Sequence, residues 1–282
     1  MLASIASAAG LAASGSASSL RPRVLPPPPA ACPSITFIGA RGSGESFAGF
    51  DGLGAAVDRM AVDLHAWVAK GGGSMQTAVD PYPADSVSDL DPSHLEILLL
   101  LADPPDGLAR YLSHNLAKYL NSIDAGIDDA VTLADQTVSA CPATRLVMAG
   151  YSQGAMVMHQ AELRLAASHP KTFHRIVGTL LLGDGDRVPH SRAHEVGSSA
   201  ARAEGIRTYL HGNSRRDVPL PARTANICNA GDLVCDFNLD RVLHFSRAAK
   251  VHTGYAVKTK HGMRYSPVLA RAANWLGRKL LP

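Results

Sequence analysis

Within a chain of 282 residues, Gly150-Tyr151-Ser152-Gln153-Gly154 forms a G-x-S-x-G pentapeptide. A serine hydroxyl used as a nucleophile must be lifted clear of its surroundings. A strand before the serine and a helix after it achieve this through a tight turn, and small residues on both sides let neighbouring chains pass closely. The flanks supply that context. Arg145 to Ala149 predicts a strand, and Ala155 to Ala167 a helix with Val157, Ala161 and Leu165 on one face. The start of that helix presents unpaired N–H groups and a positive dipole end to developing negative charge. A purely structural turn is the competing reading of the same five residues.

Unassisted serine is a weak nucleophile at neutral pH, so it needs a base, and the base needs an orienting carboxylate. After an elbow of this kind the expected chain order is serine, acid, histidine. Asp232 and His252 fit that order. Asp232 lies in Cys228-Asn229-Ala230-Gly231-Asp232-Leu233-Val234-Cys235, where a disulfide would hold its loop rigid. Closing so short a loop is worth about 2.5 kcal/mol in the loop-entropy picture. The bland alternative for Asp232 is a turn residue following a glycine. Three histidines follow it: His244, His252 and His261. His244, between Leu243 and Phe245, reads as packed or helical, and His261 precedes Gly262 in a basic loop. His252 opens His252-Thr253-Gly254-Tyr255, which reads as a loop whose mobile ring faces a cleft. His252 is therefore the expected base and His244 the fallback.

The elements that must position these residues follow from hydrophobic periodicity. Ile35 to Gly39 predicts a buried strand running into the Gly-rich loop Ala40-Arg41-Gly42-Ser43-Gly44-Glu45-Ser46. Leu53, Val57, Met60, Ala61, Leu64 and Val68 recur at helical spacing until Gly71-Gly72-Gly73. A strand ending at Asp80 to Pro83, a helix over Tyr119 to Val138, strands at Ile176 to Gly183 and Ile206 to His211, and a closing helix over Pro267 to Leu280 complete the pattern. Strands alternate with helices throughout, so the expected class is α/β with a mostly parallel sheet covered on both faces.

Composition narrows the function. Hydrophobic residues make up 46% and charged residues 18% of the chain, which excludes a disordered, collagenous or coiled-coil protein. A net charge of +3 is too small to announce a nucleic-acid binder. It is also divided: Met1 to Asp186 carries −7 and Arg187 to Pro282 carries +10. The basic half holds Asp232 and His252, so weak peripheral attraction to anionic lipid or cell-wall surfaces is expected. No apolar run reaches the roughly 18 residues of a membrane span. The four cysteines lack C-x-x-C spacing, so two disulfides are expected rather than a zinc or redox site. Three pairings exist on paper. The short loop favours Cys228–Cys235, which leaves Cys32–Cys141, and four buried free thiols are the alternative. Met1 to Ser19, rich in Ala, Ser, Gly and Leu, has signal-peptide character without a basic start, and Leu25 to Ala31 reads as an extended Pro-rich linker. The expected organisation is a tail over 1–31 and a single catalytic domain over 32–282.

Taken together, Ala40-Arg41-Gly42-Ser43-Gly44-Glu45, G-Y-S-Q-G, C-N-A-G-D-L-V-C and H-T-G-Y make the chain resemble the cutinase family of serine esterases, in its secreted actinobacterial branch. The resemblance runs from about Cys32 to the closing helix. It implies an α/β-hydrolase-type three-layer sandwich, with Ser152 as nucleophile, Asp232 as acid and His252 as base. It further implies an oxyanion hole from the backbone N–H groups of Ser43 and Gln153, with the Ser43 hydroxyl as a third donor, and the family's two disulfides match the pairing above. The expected protein is a secreted, monomeric hydrolase of ester or lipid substrates that needs no cofactor or metal and binds no nucleic acid. Lipase, phospholipase, thioesterase or acyltransferase chemistry is the related alternative, and a non-catalytic cell-wall binding protein the remote one. Two segments depart from compact members: Asp85 to Leu116, either a flap or an added core segment with the core preferred, and Arg187 to Arg207. The Asp232 to His252 interval is also long, which is why His244 stays in reserve.

Overall fold

The strand runs Ile35–Ala40, Arg145–Tyr151 and Ile176–Leu182 are buried almost throughout, and such strands are stable only when both faces of their sheet are covered. The computed structural model describes residues 31–86, 106–207 and 216–281. Its elements are β1 (Ile35–Ala40), α1 (Ala55–Lys70), β2 (Met75–Val79), α2 (Asp106–Ala140), β3 (Arg145–Tyr151), α3 (Gln153–Ser168), β4 (Ile176–Leu182), β5 (His194–Gly197) and β6 (Thr224–Cys228). They are followed by α4 (Leu239–Leu243), α5 (Phe245–His252), the hairpin strands β7 (Ala256–Thr259) and β8 (Gly262–Tyr265), and α6 (Pro267–Leu280). The main sheet has the order β2-β1-β3-β4-β6-β5 with every pairing parallel.

Alternate side chains divide the core into two layers. Ile35, Phe37, Val147, Ala149, Leu180 and Leu182 face α1 and α6, packing on Met60, Leu64, Leu269 and Leu276. Ile38, Ala40, Leu146, Met148 and Leu181 face α2 and α3, packing on Ile123, Ile127, Val157 and Leu165. The result is the three-layer α/β sandwich expected from the sequence. The Cys32–Cys141 disulfide, with Cα atoms 5.5 Å apart, ties the segment before β1 to the end of α2.

Several elements differ from the sequence reading. The helix expected over Tyr119 to Val138 runs from Asp106 to Ala140. Ile206 and Arg207 form no strand. Their backbone N–H groups instead bridge loops, to Val234 O and Gly185 O, and residues 208–211 of that expected strand lie outside the described residues. The strands that complete the sheet are β5 and β6. Their four- and five-residue lengths and internal polar residues (Glu195, Asn226) hide them from a search for apolar runs. The segment 85–116, including Leu95 to Leu101, lies largely outside the described residues, so neither the flap nor the core reading is addressed.

Candidate active site

The elbow sits where parallel-sheet proteins place their chemistry, at the carboxyl end of a central strand. β3 ends at Tyr151 and α3 begins at Gln153, leaving Ser152 alone between them with φ 55° and ψ −117°. That is a strained backbone for a residue with a Cβ, of the kind that persists where the surrounding structure over-determines it. The two flanking glycines are required by contact. A Cβ on Gly150 would sit 2.1 Å from Gly154 O, and one on Gly154 would sit 2.3 Å from Ala40 O. The turn can therefore close only with hydrogen at both positions. The Ser152 N–H donates to Leu182 O on β4 at 2.8 Å, anchoring the turn to the sheet.

The acid and the imidazole arrive from the next strand and its following loops. Asp232 follows β6 inside the loop closed by the Cys228–Cys235 disulfide and is fully buried. Its Oδ1 accepts the backbone N–H groups of Val234 at 2.7 Å and Cys235 at 3.2 Å. His252 Nδ1 lies 2.9 Å from Asp232 Oδ1 and 3.1 Å from Oδ2. On the far side of the ring, Nε2 is 2.9 Å from Ser152 Oγ. Because a carboxylate only accepts, Nδ1 carries the proton, and Nε2 is the acceptor of the serine O–H. Burial pushes the Asp232 carboxyl up, but the His252 charge and hydrogen bond, the Val234 N–H and the Tyr255 hydroxyl together hold it below the usual carboxylate range.

The β1–α1 loop supplies the wall opposite. Arg41 is buried and donates to Glu45 O, Tyr82 O and Pro83 O, while the Tyr82 hydroxyl donates to Arg41 O. The Glu45 carboxylate accepts from Gly42 N–H at 2.7 Å and Ala55 N–H at 3.3 Å, locking the turn to the start of α1. Burial raises the Glu45 carboxyl, against these two N–H groups and Arg41. Ser43 lies at the centre of this stapled loop. Its hydroxyl donates to Asp85 O at 2.5 Å and is therefore already engaged within the loop. Gln153, fully buried, is the first residue of α3, where an N–H has no intrahelical acceptor, and its side chain donates to Tyr119 O at 3.2 Å.

Ser152, Asp232 and His252 are thus brought together, while His244 points elsewhere, with Nδ1 3.0 Å from Asp240 O. His252 is not on a loop, however. It is the last residue of helix α5, and its ring is stacked on Tyr151. The run Phe245 to Val251 is helical, but its apolar face is limited to Phe245, Ala248 and Val251, of which only Ala248 is buried, and it is too short to stand out by periodicity. The sequence reading also gave no role to Arg41, Glu45 or Tyr82, although Arg41 and Glu45 stood inside a quoted motif. A charged residue beside a Gly-rich turn was the available signal. Among the described residues no group of three or more His, Cys, Asp or Glu is placed to hold a metal ion.

A parallel sheet between two helical layers, with a strained serine at the elbow of its central strand, defines an α/β hydrolase. A family description, Cutinase, matches residues 31–264. The chain is 28% identical over 222 residues to Phospholipase Culp4 of Mycobacterium tuberculosis, covering 77% of this chain and 73% of that protein. It is 29% identical to Carboxylesterase Culp1 of Mycobacterium bovis over 45% of this chain and 51% of the relative. Among solved structures, an acetylxylan esterase superposes with a TM-score of 0.54 at 21% identity, covering 89% of this chain and all of the other. The catalytic core of acetyl xylan esterase from Trichoderma reesei gives 0.53 at 18%, covering 89% of this chain and 100% of the other. At those identities the structural matches speak to the fold. The chain belongs to the cutinase family of carboxylic ester hydrolases.

Proposed function

We propose that this protein is an exported serine hydrolase that cleaves carboxylic esters through an acyl-enzyme, with residues 32–282 as its catalytic unit. Ser152 Oγ attacks the carbonyl carbon as His252 Nε2 takes its proton, and Asp232 steadies the imidazolium that forms. The oxyanion rests on the backbone N–H groups of Ser43 and Gln153, where losing one donor costs on the order of 3 kcal/mol of transition-state stabilisation. The imidazolium then protonates the departing alcohol. Water enters, gives its proton to His252, attacks the acyl carbonyl, and releases the acid with Ser152 restored. The observation that carries this reading is the unbroken hydrogen-bond relay from Asp232 through His252 to Ser152, ending on a strained elbow serine. Two disulfides support export to an oxidising compartment.

The same acyl-enzyme serves lipases, phospholipases, thioesterases and acyltransferases, because the relay fixes the reaction and not the acyl chain or acceptor. The name of the mycobacterial phospholipase relative makes a lipid acyl group a natural early member of a substrate panel. The test is Ser152→Ala assayed on p-nitrophenyl esters of graded chain length, with and without an acceptor alcohol. Hydrolysis and labelling by a fluorophosphonate should vanish while the circular dichroism spectrum is kept. Turnover retained by the folded variant overturns the proposal.

A further inference from the structure

Three aromatic rings meet at the relay. Tyr151 stacks on His252 with centroids 5.2 Å apart, and Tyr255 lies edge-on to both, 6.2 Å from Tyr151 and 6.5 Å from His252. Each tyrosine also spends its hydroxyl. The Tyr151 hydroxyl donates to the main-chain carbonyl of His252 at 2.9 Å. The fully buried Tyr255 hydroxyl lies 2.8 Å from Asp232 Oδ2 and 2.9 Å from the backbone N–H of Asn229. The direction of those last two bonds is fixed by chemistry. The Asn229 N–H can only donate and the ionised carboxylate can only accept, so the phenolic proton must point at Asp232. Burial first, and the Asp232 charge after it, push the Tyr255 hydroxyl far above its ordinary range, so it remains a donor throughout the working pH of an esterase.

The positions in the chain give this arrangement a pattern. Tyr151 is the immediate neighbour of Ser152, yet it holds His252. Tyr255 lies three residues beyond His252, in the turn Thr253–Tyr255 that follows α5, yet it holds Asp232. We propose that Tyr151 and Tyr255 are positioning residues forming two interlocked clamps, in which the chain bearing each relay member grips the next, and that Tyr255 in addition regulates how strongly Asp232 holds the imidazolium. The proposal rests on the Ser152–His252–Asp232 reading above. It explains how a nucleophile, a base and an acid from three separate segments keep registry: a shift of any one drags a ring attached to its neighbour.

The two clamps act differently. Tyr151 holds a carbonyl and a ring face, and so governs where His252 sits. Tyr255 shares Asp232 Oδ2 with the imidazole, and so withdraws part of the carboxylate's charge from it. The titratable groups facing this assembly are His252, Asp232 and the two tyrosines, with Glu45 of the β1–α1 loop also acting on Tyr151.

The test compares pH profiles of kcat/KM on p-nitrophenyl butyrate, with active enzyme counted by fluorophosphonate titration. In Tyr255→Phe the carboxylate is left with the imidazole alone on Oδ2, so the protonated ring is held more tightly. The acid limb should move to higher pH by about half a unit or more, and the plateau should fall about tenfold. Tyr151→Phe keeps the ring stack and loses only the hydroxyl, so kcat should fall a few-fold with KM and the limb unmoved. A site-specific 3,5-difluorotyrosine at position 255 keeps the shape and makes a stronger donor, so it should move the limb to lower pH. This third variant keeps the proposal testable should Tyr255→Phe fail to fold. If both substitutions at 255 leave the limb in place while Ser152→Ala is inactive, Tyr255 is a packing residue and the clamp proposal fails alone. If Ser152→Ala retains turnover, the relay itself has failed.

Discussion

Two histidine–aspartate pairs with fully buried carboxylates lie among the described residues at nearly the same separation. His252 Nδ1 is 2.9 Å from Asp232, and His159 Nδ1, on α3, is 2.7 Å from Asp184, just beyond β4. The difference is at the other nitrogen. His252 Nε2 meets a hydroxyl, Ser152 Oγ, which can donate to it. His159 Nε2 meets a carbonyl, Arg216 O at 3.1 Å, which cannot. With acceptors on both sides, His159 must carry two protons. Burial opposes that charge, but Asp184, with Asp186 and Glu162 behind it, overcomes the penalty and lifts His159 to about 9. One pair thus leaves Nε2 free to accept a proton from a hydroxyl, and the other is arranged to hold a cation at neutral pH. A carboxylate beside an imidazole does not distinguish them; the partner of Nε2 does.

The largest expected effect separates the pairs by activity. Asp232→Asn removes the charge that fixes the His252 tautomer and should lower kcat by about 10⁴-fold while the fold survives. Asp184→Asn should leave kcat per folded molecule within a few-fold of the parent. Steady-state kinetics on active-site-titrated enzyme measures both. Comparable losses in the two variants would remove the distinction.

Stability should show the reverse. Asp184→Asn leaves a buried imidazolium without its main counter-charge, a change that typically costs about 3–5 kcal/mol. The pH dependence has a definite sign. His159 is raised from an ordinary 6.5 to about 9 in the folded protein, so its contribution is fully present below 6.5 and is lost as pH rises through 9. Parent stability in urea unfolding should therefore decline between about pH 6.5 and 9.5, and the decline should be much weaker in Asp184→Asn. A flat parent profile would show that His159 is neutral in the fold and that the two pairs are alike.

This contrast also marks what could be read from the chain. G-Y-S-Q-G between a strand and a helix, and Asp232 between two cysteines, were legible because the constraints are local: glycines where backbones touch, and a short covalent loop. The parallel sheet was legible from β1, β3 and β4, whose apolar runs are long. β5 and β6 escaped because they are only four and five residues long and carry Glu195 and Asn226 within them. His159 escaped for a related reason. A histidine two turns into the elbow helix reads as one of many until β4 brings Asp184 to it and residue 216 supplies a carbonyl. Tyr255 sat inside a motif already quoted, H-T-G-Y, but its partner lies 23 residues upstream.

The smallest expected effect belongs to a third histidine and sharpens the same rule. His244 also has an aspartate nearby, with Nδ1 3.6 Å from Asp240 Oδ1, but its side chain is 63% exposed and that of Asp240 66% exposed. Water screens such a pair, and holding two mobile side chains together offsets the remaining attraction. The ring also spends Nδ1 on the Asp240 carbonyl within its own helical turn. His244→Gln should therefore change kcat/KM by less than about twofold and leave the unfolding midpoint almost unmoved, as surface substitutions commonly do. The comparison with His252→Gln is the decisive one, because the interval after Asp232 is long enough for either ring to have been the base. If His244→Gln silenced the enzyme and His252→Gln did not, the hydroxyl contact at Nε2 would have lost its standing as the mark of a catalytic histidine in this fold.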